Sequence, residues 1–200
     1  MTCGGTGGHI NPAIAVANRI KMISPGAEIA FVGTEKGMES SLVPKAGYPI
    51  RFVKVRGFKR KLTLANIDAA IKAVTSVVAA KRIIRDFQPD VVIGTGGYVS
   101  WPTVKAAAKL GVPTLIQEQN AFPGVTQRML AKYADKICVS FEESRKFFDA
   151  SVQDKILLTG NPVSASGITR AQAREKLGLE PGALYVVSSG GSLGAEKVNE

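Results

Sequence analysis

Residues 91–98, Val-Val-Ile-Gly-Thr-Gly-Gly-Tyr, place a continuous apolar run directly before a glycine-rich loop. An uninterrupted apolar run of this kind is typical of a parallel strand that is covered on both faces. Two further glycine-rich loops lie at residues 4–9, Gly-Gly-Thr-Gly-Gly-His, and 190–195, Gly-Gly-Ser-Leu-Gly-Ala. Glycine lets backbone N–H groups approach an anion closely, and the N-terminus of a following helix carries partial positive charge. Three such loops predict a protein that binds phosphate groups in more than one place.

Strand and helix patterns alternate around these loops. The predicted helices span 11–23, 37–46, 64–87, 101–110, 125–133, 142–150 and 169–177, and the predicted strands span 28–33, 49–55, 91–93, 113–117, 136–140, 155–159 and 184–187. Asn11 and Pro12 are the predicted N-cap and first residue of the first helix. The alternation predicts an α/β fold with a doubly wound parallel sheet, which binds its ligands at the carboxyl ends of the strands.

A polar segment that begins at Gly160-Asn161-Pro162-Val163 interrupts the alternation. We therefore expect a Rossmann-like domain over residues 1–163 and the beginning of a second one over residues 164–200. Only three residues precede the first glycine loop, and a few residues follow the third. We expect the chain to be a fragment, with a truncated first strand and an incomplete second domain.

Composition limits the possible function classes. The chain has one histidine and two cysteines, Cys3 and Cys138, which are predicted core residues, so we expect neither a metal site nor another cofactor. A net charge of +10 would attract nucleic acid, anionic lipid or a phosphorylated substrate. Aromatic residues make up only 6% of the chain and do not interleave with basic ones, which disfavours nucleic acid.

Residues 51–61 contain six cations and no acid. One interpretation is a surface that binds an anionic membrane, where each Lys or Arg contributes about 1 kcal/mol. The membrane patch in this interpretation is Lys59, Arg60 and Lys61, at the end of the stretch. The other interpretation is a solvated basic face beside an ordinary buried helix.

Five motifs occur in a fixed order: residues 4–12 (Gly-Gly-Thr-Gly-Gly-His-Ile-Asn-Pro), 94–100 (Gly-Thr-Gly-Gly-Tyr-Val-Ser), 117–120 (Gln-Glu-Gln-Asn), 160–163 and 190–195. In this order the chain resembles the family 28 glycosyltransferases that add N-acetylglucosamine to undecaprenyl-pyrophosphoryl-N-acetylmuramyl-pentapeptide, the step from lipid I to lipid II of peptidoglycan synthesis. The resemblance implies two Rossmann-like domains in the GT-B arrangement, the first for the lipid acceptor and the second for most of UDP-N-acetylglucosamine. It also implies an inverting transferase at the cytoplasmic face of the bacterial cell membrane.

The same resemblance implies roles for single residues. The candidates for the base that accepts the proton of the attacking hydroxyl are His9 and Glu118. The implied donor contacts are Thr6, Gly7, Gly8, Asn120 and Ser192, and the implied contacts to the acceptor pyrophosphate are Gly94, Gly96, Gly97 and Tyr98. Without the resemblance, the same residues would be tight turns, helix caps, a structural histidine and a surface glutamate.

One position departs from the family pattern. Ser164 stands where many relatives carry an arginine for the donor, so either that contact is lost or another cation supplies it. A second function class also stays open, a non-catalytic module that binds a sugar nucleotide or a phospholipid. We expect the 200 residues alone to lack transferase activity, because most of the donor site would belong to the incomplete second domain.

Overall fold

The computed structural model describes residues 1–55, 65–164, 167–180 and 182–188. The chain divides into two compact units, Met1–Ser164 and Ala165–Glu200. No helix in the described ranges is long and apolar enough to cross a membrane. Those ranges also contain no group of three or more His, Cys, Asp and Glu side chains that could hold a metal ion.

The described part of the first unit forms a parallel sheet of seven strands in the order β3-β2-β1-β4-β5-β6-β7. The strands are β1 (Thr2–Cys3), β2 (Phe31–Gly33), β3 (Ile50–Phe52), β4 (Val92–Gly96), β5 (Thr114–Glu118), β6 (Lys136–Val139) and β7 (Ile156–Leu158). The predicted parallel α/β fold is confirmed. The short β1 lies inside the sheet, where Thr2 is paired with Val32 on one side and Gly94 on the other.

Helices connect the strands and bury their apolar sides against the sheet. They are α1 (Gly7–Ile23), α2 (Glu39–Lys45), α3 (Ala65–Phe87), α4 (Ser100–Lys109) and α5 (Val125–Leu130). One buried cluster joins α1 and α2 to β2 through Ile10, Val43 and Phe31. A larger cluster joins α3, α4 and α5 to β4, β5 and β6 and includes Ile84 and Val104. The predicted core positions Cys3 and Cys138 are confirmed, since both are buried free thiols.

The predicted start of the first helix is wrong by about one turn. Helix α1 begins at Gly7 with Thr6 as its N-cap, and Pro12 lies inside it. The Thr6 carbonyl accepts hydrogen bonds from the N–H groups of His9 and Ile10, which starts the helix within the glycine motif itself. Pro12 is the sixth residue of the helix, so it has no N–H to donate to the carbonyl of Gly8, and the helix continues past this missing hydrogen bond. His9 therefore belongs to the first turn of a helix and not to a loop.

The predicted helix over 142–150 is also wrong. This segment forms two short 3₁₀ turns, Glu142–Phe147 and Ala150–Lys155. Between them Phe148 has an extended backbone and a buried side chain, which is 6% exposed. The backbone leaves the helical path at the residue whose ring enters the core, so the segment does not form one continuous helix.

In the second unit, α6 (Arg170–Lys176) begins with a capping box between Thr169 and Gln172, which confirms the predicted helix. The predicted strand over 184–187 is wrong for the described residues, because this segment has no strand structure and Leu184 is 91% exposed. A parallel strand needs a neighbour for its backbone hydrogen bonds, and no other strand occurs in the described part of this unit. The third glycine loop lies outside the described residues.

Candidate functional site

Three loops meet at the carboxyl ends of β1, β4 and β5. They span residues 4–6, 97–99 and 119–124, and each leads into a helix. The strand order reverses between β1 and β4, which makes this edge the topological switch point of the sheet. Open α/β sheets bind their ligands at this position. The structure thus brings together most of the site residues that the sequence suggests.

His9, the single histidine of the chain, connects these three segments. Its Nδ1 atom lies 3.0 Å from Oε1 of Gln119. Its backbone carbonyl accepts a 2.7 Å hydrogen bond from the hydroxyl of Thr95. Gln119 in turn donates from Nε2 to the carbonyl of Thr95 over 2.7 Å. The imidazole is partly buried at the centre of this network.

The first two glycine loops pack directly against each other. Gly96 and Gly97 have left-handed φ angles of 120° and 81°, which residues with a side chain rarely adopt. A Cβ atom on Gly96 would lie 2.5 Å from Nδ1 of His9, and a Cβ atom on Gly97 would overlap the carbonyl of Gly4. These two glycines are therefore needed for the approach of the loops, whether or not they also contact an anion.

The other members of the second loop differ in their surroundings. A Cβ atom on Gly94 would lie 2.8 Å from a methyl group of Val104, so this glycine lets α4 approach the strand. Tyr98 is 40% exposed and lies beside the first loop, where its ring would be 3.9 Å from a Cβ atom on Gly5. Within the second loop, Tyr98 thus has the side chain that a ligand can reach.

The first turn of α1 presents free backbone donors. Among the described residues, the N–H groups of Gly7 and Gly8 have no hydrogen-bond partner, and Thr6 makes no side-chain cap. Gly8 is exposed, and a Cβ atom there would meet only the Thr6 hydroxyl, at an ordinary 3.6 Å. A helix N-terminus with free N–H groups is suited to a phosphate or another anion.

Glu118 is a buried structural group. It is not the surface glutamate of the alternative interpretation, because the residue is only 1% exposed. Its Oε1 atom accepts hydrogen bonds from the backbone N–H and the side-chain amide of Asn120, at 2.9 and 2.8 Å. Its Oε2 atom accepts one from the N–H of Gly124 at 2.9 Å. The carboxylate thus holds the loop that leads into α5, and Asn120 belongs to this loop and does not cap the helix, whose N-cap is Gly124.

Glu39 is a site residue that the sequence analysis missed. It is fully buried in the first turn of α2, and its carboxylate accepts hydrogen bonds from the N–H of Gly5 at 3.1 Å and from the N–H and hydroxyl of Thr34 at 2.9 and 2.7 Å. It thereby fixes the first glycine loop to the end of β2.

Burial, together with the nearby charge of Glu39, raises the pKa of the Cys3 thiol to about 12. In the sequence, the signal for the buried Glu39 side chain was the pair of glycines at positions 33 and 37. A Cβ atom at either position would collide with the Glu39 side chain.

Some of the suggested residues lie outside the described part of the chain. They are Ser192, Lys59, Arg60 and Lys61. Ser164 is the last residue of the first unit and is exposed.

The fold and the edge loops define a class, the Rossmann-like domains that bind phosphorylated ligands at a glycine-rich switch point. Within this class, the chain belongs to glycosyltransferase family 28, because the profile described as "Glycosyltransferase family 28 N-terminal domain" matches residues 1–139.

Relatives with known names share most of the sequence. The UDP-N-acetylglucosamine--N-acetylmuramyl-(pentapeptide) pyrophosphoryl-undecaprenol N-acetylglucosamine transferase of Acetivibrio thermocellus is 46% identical over 198 residues, which cover 98% of this chain and 53% of that protein. The protein of the same name from Phocaeicola vulgatus is 50% identical over 200 residues, which cover 98% of this chain and 52% of that protein. The chain spans about half the length of the curated relatives it matches.

A solved structure supports the same relationship. The crystal structure of MurG from Acinetobacter baumannii matches with a TM-score of 0.66 and 33% sequence identity. The match covers 84% of this chain and 45% of that one.

Proposed function

We propose that this chain is part of an inverting hexosyltransferase. The enzyme transfers N-acetylglucosamine from UDP-N-acetylglucosamine to the C4 hydroxyl of undecaprenyl-pyrophosphoryl-N-acetylmuramyl-pentapeptide, which converts lipid I to lipid II. The observation that carries the proposal is the 46–50% identity, over 98% of the chain, to proteins named for this transfer. In this proposal residues 1–163 bind the acceptor, and residues 164–200 begin the donor-binding domain of a GT-B arrangement.

His9 is the base in the proposed reaction. The muramyl C4 oxygen forms a bond to the anomeric carbon of the donor, the bond between that carbon and the UDP oxygen breaks, and the hydroxyl proton moves to His9. The position of His9 at the switch point and its partly exposed ring support this role. Glu118 is less suited, because three hydrogen bonds from its own loop occupy both carboxylate oxygens.

The remaining site residues bind the two pyrophosphate-bearing substrates. The free N–H groups of Gly7 and Gly8 support a donor contact at the start of α1, beside Thr6. Asn120 is exposed at the same edge of the sheet, and its side-chain oxygen would be its donor contact, because its amide nitrogen is bonded to Glu118. The segment over 94–98, which is the end of β4 and the start of the following loop, holds the acceptor pyrophosphate, with Tyr98 as its exposed side chain.

A chimera tests this function. Residues 1–163 replace the matching part of the Acetivibrio thermocellus transferase, and turnover of UDP-N-acetylglucosamine is measured with a soluble lipid I analogue. We expect the chimera to form the disaccharide product, and we expect no measurable turnover from the 200-residue chain alone. The unmodified relative is the positive control. A folded chimera that binds the acceptor without turnover would identify a non-catalytic binding module and contradict the proposal.

The proposed acceptor is a membrane lipid, so we place the enzyme at the cytoplasmic face of the cell membrane as a peripheral protein. The +10 net charge and the six cations of residues 51–61 support this location. Arg51 is the first residue of that stretch and lies in the described part of the chain. A guanidinium nitrogen of Arg51 lies 3.9 Å from a carboxylate oxygen of Asp86 in an exposed ion pair. Such a pair is weak enough for Arg51 to exchange Asp86 for a lipid headgroup.

Vesicle co-sedimentation tests the membrane patch. Changing Lys59, Arg60 and Lys61 together to alanine should weaken binding to anionic vesicles roughly 100-fold, since each cation contributes about 1 kcal/mol. A matched control removes the same charge from three exposed lysines elsewhere, Lys36, Lys136 and Lys146. In 1 M salt the Debye length is roughly 3 Å, so electrostatic binding should weaken there as well. If vesicle binding is unchanged both in the patch variant and in 1 M salt, the patch is an ordinary solvated face.

A further inference from the structure

The side-chain amide of Gln119 fits its neighbours in one orientation. Its Nε2 atom lies 2.7 Å from the carbonyl oxygen of Thr95 and 3.2 Å from that of Gln117. Carbonyl oxygens accept hydrogen bonds and cannot donate them, so the atom that faces both must be the NH₂ group. The oxygen of the amide, Oε1, is therefore the atom that faces His9.

This orientation determines which nitrogen of His9 carries the proton. Oε1 of Gln119 can only accept, and it lies 3.0 Å from Nδ1, so Nδ1 must be the donor. In a neutral imidazole the second nitrogen then has a free lone pair. Among the described residues, Nε2 has no hydrogen-bond partner, and the ring is only partly buried.

Two further contacts, one to the His9 backbone and one to its ring, restrict the position of the imidazole. The Thr95 hydroxyl fixes the backbone of His9 through its carbonyl. The backbone of Gly96 lies against the ring, since a Cβ atom at that position would be 2.5 Å from Nδ1 and 2.8 Å from Cε1. Gln119 thus acts on an imidazole whose position is already restricted.

We propose that Gln119 is a positioning residue that fixes His9 in the Nδ1–H tautomer and leaves the Nε2 lone pair to take the proton of the acceptor hydroxyl. The catalytic part of this statement rests on the proposed function. The tautomer itself does not, because it follows from the hydrogen bonds within this chain.

The single histidine makes the tautomer directly measurable. A 200-residue chain labelled with ¹⁵N-histidine gives one imidazole, and two-bond ¹H–¹⁵N correlations distinguish a protonated ring nitrogen from an unprotonated one. In spectra of the neutral imidazole, we expect Nδ1 to carry the proton and Nε2 to be unprotonated. The opposite pattern in the unmodified chain would overturn the proposal, and this measurement needs no variant.

Two variants test the contribution of Gln119. Gln119→Leu removes the acceptor, so the Nδ1–H to Nε2–H ratio should fall roughly two- to tenfold, which corresponds to the loss of one net hydrogen bond. Gln88→Leu is the control, since Gln88 is exposed beside the amino end of β4, at the opposite edge of the sheet. An unchanged tautomer ratio in folded Gln119→Leu would show that Gln119 does not position the ring.

Kinetics in the chimera separate this inference from the proposed function. Gln119→Leu should lower kcat by a factor similar to the loss of the Nδ1–H tautomer, with KM for the donor nearly unchanged. If the unmodified chimera is inactive while the spectra show Nδ1–H, the function fails and the tautomer assignment stands. If the chimera is active and kcat is unaffected by a shifted tautomer ratio, the catalytic role of the tautomer is wrong.

Discussion

Replacing Gly97 by alanine should lower the free energy of unfolding of the chain by about 3 kcal/mol or more. Gly97 has a φ of 81°, and a Cβ atom there would overlap the carbonyl of Gly4. A left-handed alanine costs roughly 1–2 kcal/mol, and forcing extra atoms into a packed position adds roughly 1–3 kcal/mol. Urea unfolding followed by fluorescence measures the loss, because Trp101, the single tryptophan, packs against the larger core cluster.

The matched control is Gly8→Ala in the first turn of α1. Gly8 has an ordinary φ, is exposed, and would place a Cβ atom 3.6 Å from the Thr6 hydroxyl, an ordinary contact distance. We expect this variant to fold with nearly unchanged stability and to bind the donor less well in the chimera, since the added methyl group lies beside the free N–H groups of the helix start. Equal stability of the two variants would show that the glycine loops do not depend on their close packing.

Replacing His9 by alanine in the active chimera should lower kcat by roughly 10²-fold or more, the usual contribution of a general base. The fold should tolerate the change, because His9 is partly buried and its side chain makes one hydrogen bond within the described residues. Single-turnover rates with the soluble lipid I analogue measure the chemical step.

Glu118→Ala is the informative comparison. Removing this carboxylate leaves the N–H groups of Asn120 and Gly124 without their acceptor, so the free energy of unfolding should fall by roughly 2–4 kcal/mol. The folded fraction should retain kcat within about tenfold, well short of the loss expected of a general base. If Glu118→Ala loses activity as strongly as His9→Ala and keeps its stability, then Glu118 is the base and His9 is not.

Much of the fold follows from local patterns. The apolar run before the second glycine loop predicts a buried parallel strand, and β4 is buried along its whole length. Predictions from local spacing fail where a tertiary contact overrides the pattern. Phe148 leaves the helical path to enter the core, and residues 184–187 have strand composition but no neighbouring strand in the described part of their unit.

The sequence by itself determined the parallel α/β class, the glycine loops at the strand ends and the family. These depend on local periodicity, on glycine and on ordered motifs, which are visible without coordinates. Only the tertiary structure showed that Glu118 is buried while His9 is partly exposed, since both are polar residues near strand ends in the sequence. The burial of Glu118 and its three hydrogen bonds depend on how residues 119–124 fold back over the end of β5. The partners of His9 are equally non-local, because Gln119 is 110 positions away along the chain.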